Sequence, residues 1–188
     1  MSTSKQLGIS GAQVEDADKR RLEYSKYADQ FDHQNQYNPA YHELQDLLAN
    51  WIPYFSLGTS PAVCDLGAGT GSFILRLHKE IPGASFVHLD KDKNMNNRAR
   101  EKYKQANISD IRLVEELIQN SSFSSEQFDL IVCVNALNTA PPQQISLNMM
   151  HRWLKPGGWL FVVDFGRKQN VFDWAVYCAY HAAKKDGF

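Results

Sequence analysis

At 188 residues, the chain is long enough for one domain with a real core and short for two. Its hydrophobic share of 43% and charged share of 22% are those of an ordinary globular protein. A formal net charge of -1 gives no general attraction to nucleic acid or to an acidic membrane, which weighs against a nucleic-acid substrate.

Residues 1–20 are polar and are expected to form a flexible N-terminus. They contain no apolar h-region, and no apolar run in the chain approaches the ~20 residues that span a bilayer. The protein is therefore expected in the cytoplasm, with no membrane partner. From 21 to 57 the pattern is helical, in two pieces. Leu22, Tyr24, Tyr27, Ala28 and Phe31 form one stripe, and Tyr41, Leu44, Leu47, Leu48, Trp51 and Ile52 a second. Asn38-Pro39 breaks them, with Pro39 suited to a first helical position.

From residue 58 to 188 strand and helix patterns alternate. Strands are predicted over 62–66, 85–89, 111–115, 128–134 and 159–164. Helices are predicted over 72–80, 94–106, 142–153 and 172–184, with a turn at Lys155-Pro156-Gly157-Gly158. Apolar runs such as Leu130-Ile131-Val132-Cys133-Val134 are typical of strands covered on both faces. The spacing predicts a doubly wound α/β fold: a mainly parallel sheet, right-handed crossovers, and helices on both faces. Cys64, Cys133 and Cys178 are odd in number, widely spaced and without CxxC. They read as reduced core thiols and not as disulfides or metal ligands.

Asp65-Leu66-Gly67-Ala68-Gly69-Thr70-Gly71 follows a strand and opens a helix, the setting in which a glycine motif carries meaning. Glycines there permit positive φ and close approach of a ligand. A dinucleotide loop has G-x-G-x-x-G, so that pyrophosphate meets the helix N-terminus. Here the third glycine comes one residue early, and Ser72 stands where the dinucleotide glycine belongs. Asp65 would repel a pyrophosphate but suits an ammonium, which favours S-adenosylmethionine over a nicotinamide cofactor. Asp90 closes the second strand nineteen residues after Gly71, where an acid can accept hydrogen bonds from ribose hydroxyls.

These residues resemble the class I (Rossmann-like) S-adenosylmethionine-dependent methyltransferases, over residue 24 to about 164. Asp65 to Gly71 is similar to that family's first motif at every position. His88-Leu89-Asp90-Lys91-Asp92-Lys93-Asn94-Met95 resembles its second, in which the acid binds ribose and the methionine packs on adenine. Phe128 to Leu137 resembles its fourth-strand motif, and Leu154 to Gly158 the turn into its fifth strand. The resemblance implies a cofactor site of Asp65, Gly67, Ala68, Gly69, Gly71, Asp90, Lys91, Met95, Asn135, Ala136 and Leu137. Tyr27 to Asp32 is similar to a segment that forms a lid in small-molecule methyltransferases, which implies that Tyr27 touches the cofactor. The alternative for Tyr24, Tyr27 and Phe31 is a helix's core stripe.

The chain departs from the family in three places. After the third strand it has Val114-Glu115-Glu116-Leu117 in place of Gly-Asp, so the acid that meets adenine is Glu116 or the contact is lost. Asn138-Thr139 replaces the His-His of many relatives. The antiparallel strands that normally finish the sheet are expected to be absent, in either a naturally short protein or a shortened form.

The expected reaction is direct in-line transfer of a methyl group to a small-molecule acceptor. A macromolecular acceptor (RNA or protein) and a non-catalytic subunit are the alternatives, and a homodimer stays open. No catalytic residue is assigned. His33, Tyr37, His42, His151 and His181 are the candidates for a general base, each read first as a surface or capping residue. The basic set Lys91, Lys93, Arg98, Arg100, Lys102 and Lys104 is interleaved with Asp92 and Glu101 and reads as a solvated helix face.

Overall fold

The computed structural model describes residues 25–164 and residue 15. The expected helix over 172–184, with Cys178 and His181, lies outside the described residues, as does the stretch before residue 25 that holds Leu22 and Tyr24.

Helix α1 (Ala28–Asn35) and helix α2 (Pro39–Trp51) lead into a short 3-10 turn, Ile52–Tyr54. Pro39 takes the first position of α2 behind an extended Asn38, where its missing N–H would have no intrahelical partner anyway. The alternating part is β1 (Ala62–Leu66), α3 (Ser72–Glu80), β2 (Ser85–Leu89), α4 (Lys93–Gln105), β3 (Ile111–Val114), β4 (Phe128–Val134), α5 (Gln143–Trp153) and β5 (Leu154–Val163). Asp92 caps α4, its carboxylate accepting from the amides of Asn94 at 2.8 Å and Met95 at 3.0 Å.

The five strands lie in the order β3-β2-β1-β4-β5, and every neighbouring pair is parallel. The chain winds outward from β1 in one direction, then returns past it and winds in the other. The order therefore reverses between β1 and β4, which opens a crevice at the carboxyl ends of those strands.

Alternate strand residues face opposite layers. Val63, Phe86, Leu130 and Val132 pack with Leu48 of α2, Phe73, Ile74 and Leu77 of α3, and Ala99 and Tyr103 of α4. Cys64, Leu66, Leu89, Ile131 and Cys133 pack with Ile118, Phe123 and, from α5, Met150 and Trp153. Helices thus cover both faces, as the strand pattern predicts.

One expectation is corrected. Lys155-Pro156-Gly157-Gly158 does not lie ahead of the fifth strand but inside its span, which starts at Leu154. Phe128 pairs with Leu154 and Leu130 with Trp159, so the extra residues of β5 form a bulge, with Gly157 at φ 77°.

Candidate active site

The site is built from three loops that leave the carboxyl ends of β1, β2 and β4. The β1 loop turns on three glycines with positive φ: Gly67 at 73°, Gly69 at 55° and Gly71 at 78°. The three are glycine for different reasons. A side chain on Gly67 would overlap Ala136, and one on Gly71 would overlap the phenol of Tyr103. A side chain on Gly69 would meet nothing within 4 Å. Gly67 and Gly71 are therefore packing glycines, and Gly69 borders open space that a ligand can fill.

The amides of this loop point inward. Gly67 and Ala68 both donate to the Leu89 carbonyl, at 2.8 and 3.0 Å, and Gly71 donates to the Ala68 carbonyl at 2.9 Å. Gly69 donates to Asp90 Oδ2 at 2.8 Å. A phosphate cradle presents free N–H groups to its anion, whereas four amides of this loop are already engaged within the protein.

Asp65 lies at the root of the loop with 3% of its surface exposed. Its Oδ2 is buried and has no hydrogen-bond partner among the described residues. Burial, with Asp90 adding to it, pushes the carboxyl up to about 8. Without a ligand, a carboxyl raised this far favours its protonated form at neutral pH. A cation arriving beside it would replace that proton and satisfy the orphaned oxygen. An ammonium-bearing ligand fits this arrangement and a pyrophosphate does not.

The β2 loop is held from behind by a buried polar chain. Asn96 donates through Nδ2 to the Asp90 carbonyl at 3.0 Å and to Glu115 at 3.4 Å, so its Oδ1 is the acceptor facing His88 Nε2 at 2.9 Å. His88 therefore carries its proton on Nε2, and Nδ1 accepts from the Tyr103 hydroxyl at 2.8 Å. Burial, reinforced by Arg100 and Lys102, lowers the His88 pKa to about 4 and keeps the ring neutral. Tyr103 in turn backs Gly71, so one chain of contacts supports both Asp90 and the glycine loop.

At the end of β4, Asn135 adopts a left-handed φ of 55°, a conformation that Asn tolerates better than most residues. Its amide donates to the Val163 carbonyl at 2.8 Å. Ala136 fills the space over Gly67, and Leu137 starts a short 3-10 turn. Asn138, in the place of one of the family's histidines, is held by Asp164: backbone N–H to Oδ2 and Nδ2 to Oδ1, each at 2.6 Å.

The other expected residues are placed as follows. Met95 is buried in the first turn of α4, beside Asp90, and Lys91 is exposed. Tyr27 caps the start of α1 and is half exposed. Glu116 is exposed just after β3, and it is Glu115 that the structure joins to the Asp90 chain through Asn96. His33, Tyr37 and His42 gather round Gln36 on the surface. Gln36 Nε2 donates to His33 Nδ1 at 2.8 Å, His42 Nε2 donates to the Gln36 carbonyl at 2.9 Å, and the rings of His33 and Tyr37 meet edge-on at 5.5 Å. His151 is exposed in the last turn of α5. Cys64 and Cys133 are free and fully buried, and burial pushes both thiols well up, away from any nucleophilic role. Among the described residues, no group of three or more His, Cys, Asp or Glu side chains is placed to hold a metal ion.

One basic residue departs from its expected place. Arg98 and Arg100 lie on a solvated helix face, bonded to Glu101 at 3.0 Å and Asn97 at 2.9 Å. Lys102 turns inward instead and pairs with Asp32 of α1 at 2.9 Å, its side chain only 22% exposed. Sequence reasoning did not find Asp32, Thr70, Ser72, Asn96 or Tyr103 as site residues. Asp32 and Lys102 meet only across 70 residues, and Asn96, though near His88 and Asp90 in the chain, carries no motif that marks it.

The model of a family described as a methyltransferase domain matches residues 63–158, just over half of the chain. A demethylmenaquinone methyltransferase of Listeria welshimeri is 31% identical over 120 residues, which are 63% of this chain and 50% of the relative. A ubiquinone biosynthesis O-methyltransferase of Pseudomonas syringae is 26% identical over 155 residues, 78% of this chain and 62% of the relative. The chain thus spans about half the length of the first of these relatives. A solved structure from Methanococcus maripaludis, named for S-adenosylmethionine-dependent methyl transfer, superimposes with a TM-score of 0.67 at 23% identity, covering 87% of this chain and 72% of that one. At that identity the likeness is one of fold. The glycine loop, the parallel sheet with its reversal at β1 and β4, and the matched family model lead to one assignment: the chain belongs to the methyltransferase-domain family, the class I S-adenosylmethionine-dependent methyltransferases.

Proposed function

We propose that this chain binds S-adenosylmethionine in the crevice above β1, β2 and β4 and transfers its methyl group to a small-molecule acceptor by direct in-line displacement. The observation that carries the proposal is the buried Asp65 carboxyl with an orphaned oxygen, next to a loop in which four amides are already engaged within the protein. S-adenosylmethionine, when bound, supplies a methyl group on a sulfonium, already activated for attack, together with an ammonium that matches Asp65.

The chain's own residues then bind and orient. Asp65 releases its proton and holds the ammonium. Gly67, Ala68, Gly69 and Gly71 form the floor on which the ligand lies. Asp90 holds the Gly69 amide on Oδ2 and the Asp92 amide on Oδ1, and its further lone pairs accept from ribose hydroxyls, with Lys91 beside it. Met95 supplies an apolar wall for the base, and Glu116 an acid for its amino group. Asn135, Ala136 and Leu137 line the side nearest β4, and Tyr27 closes from α1. Transfer to an acceptor that is already nucleophilic needs no catalytic side chain. Holding the reactants in line and excluding water can contribute up to ~7–11 kcal/mol.

The names of the two relatives, one for demethylmenaquinone and the other for ubiquinone biosynthesis, support a small-molecule acceptor over RNA or protein. No helix among the described residues is long and apolar enough to cross a membrane, and the proposed setting is the cytoplasm. A homodimer is one assembly that a sizing measurement would test. Calorimetric titration with S-adenosylmethionine, S-adenosylhomocysteine and NADH tests the cofactor: binding of the first two and not the third is expected, and tight NADH binding would refute the reading. Methyl transfer to protein or RNA, but to no small molecule, would overturn the acceptor class.

A further inference from the structure

Helix α1 is attached to the core by two separate sets of contacts. One is apolar: Phe31 meets Tyr41 edge-on at 6.3 Å, and Tyr41 meets Phe73 edge-on at 5.7 Å. The other is polar and converges on a single atom, Asp32 Oδ1. Thr70 Oγ1 donates to it at 2.6 Å, Ser72 Oγ at 3.3 Å and Lys102 Nζ at 2.9 Å. Lys102 Nζ also donates to Ser72 Oγ at 2.8 Å and to Thr70 Oγ1 at 3.3 Å, which engages all three of its protons.

The place of this cluster matters more than its strength. Thr70 sits inside the glycine loop, between Gly69, which borders open space, and Gly71, which Tyr103 presses from behind. Only 1% of Thr70 is exposed, so its hydroxyl has no access to water as a substitute partner. Lys102 is likewise recessed, and burial lowers its pKa, with Asp32 acting against that shift. If α1 moved away, a buried hydroxyl and a recessed ammonium would lose their shared acceptor together. The docked position of α1 and the conformation of the loop are therefore coupled through one carboxylate oxygen.

We propose that Asp32 is a positioning residue: it latches α1 onto Thr70 and Lys102, and so holds residues 67–71 in the conformation that takes the cofactor. The inference rests on the cofactor reading above, but its structural half can be tested without any ligand. A loop that is competent for only a fraction of the time binds more weakly by that fraction.

The experiment compares the full chain with Asp32→Asn, Lys102→Met and the double variant. Lys102→Met removes the charge without altering α1 and serves if Asp32→Asn folds poorly. Amide hydrogen exchange is measured without ligand, and S-adenosylhomocysteine dissociation by stopped flow. Each single variant is expected to speed exchange in α1 and in residues 67–72 and to release S-adenosylhomocysteine about tenfold faster, with the double variant no worse than either single. Loop exchange equal to that of the unaltered protein, or single effects that simply add, would overturn the latch. If the unaltered protein fails to bind S-adenosylhomocysteine while loop exchange still depends on Asp32, the cofactor reading falls and the latch stands.

Discussion

The phenol of Tyr103 in α4 occupies the place where Gly71 would carry a side chain, so a residue of the fourth helix sets the shape of the loop that follows the first strand. Gly71→Ala meets two penalties, a left-handed φ of 78° and a clash with a ring that His88 holds in place. A loss of roughly 2–4 kcal/mol is expected, read as a lower urea midpoint at unchanged slope. Tyr103→Phe should not rescue it, because ring carbons Cζ and Cε1 also lie at 2.5 and 2.8 Å from the added atom.

Gly69 offers the contrast. Gly69→Val places a side chain in open space at a φ of 55°, so the fold should survive with a loss of about 1–2 kcal/mol while the ligand's place is filled. Cofactor affinity is expected to fall by about a hundredfold or more, and Asp90→Ala, which removes the acceptor of the Gly69 amide, by about ten- to a hundredfold. Calorimetry on both variants is the check, and unchanged affinity in both would refute the site.

Asp65 makes a prediction about protons. Its pKa is about 8 in the folded chain against 3.8 as the ordinary value, so the folded state holds a proton that the unfolded state releases. Stability from this group is fully present below about pH 4 and is lost as pH rises through about 8. Asp65→Asn should remove that loss and make the ligand-free protein more stable at pH 8. Binding of S-adenosylmethionine at pH 7 should expel the proton, so that the measured heat varies with the ionisation enthalpy of the buffer. The variant should bind far more weakly and show no such variation.

His88 shifts in the opposite direction. A pKa lowered from 6.5 to about 4 means that its stabilising share is present above pH 6.5 and is lost as pH falls toward 4. In an NMR titration the His88 ring should show no protonation step above about pH 5, and its Nε2 proton should remain visible through its bond to Asn96. A His88 resonance that titrates near 6.5 would show that the chain from Tyr103 to Asn96 is not formed.

The strand and helix order was legible because every core strand is an apolar run bounded by turn residues, and because a parallel sheet needs helices between its strands. The glycine motif, Asp65 and Asp90 stand out as candidates because residue type and position mark them: glycines between a strand and a helix, and acids at the ends of strands. The bulge in β5 was not. Pro156-Gly157-Gly158 has the composition of a turn, and only the pairing of Leu154 and Trp159 on either side of it with β4 makes it an interruption within the strand.

What the amino-acid order determined unaided is the fold class, the position of the glycine loop and the choice of cofactor. Each depends on local periodicity or on charge next to glycine. Tertiary structure alone decided why Gly67 and Gly71 must be glycine, that burial raises the Asp65 carboxyl, and that Lys102 faces Asp32 and not solvent. Each of these depends on desolvation or contact between segments that meet only after folding, such as Asp32 and Lys102 from α1 and α4. Burial and distance between such segments are properties of the packed chain and have no local signature in its sequence.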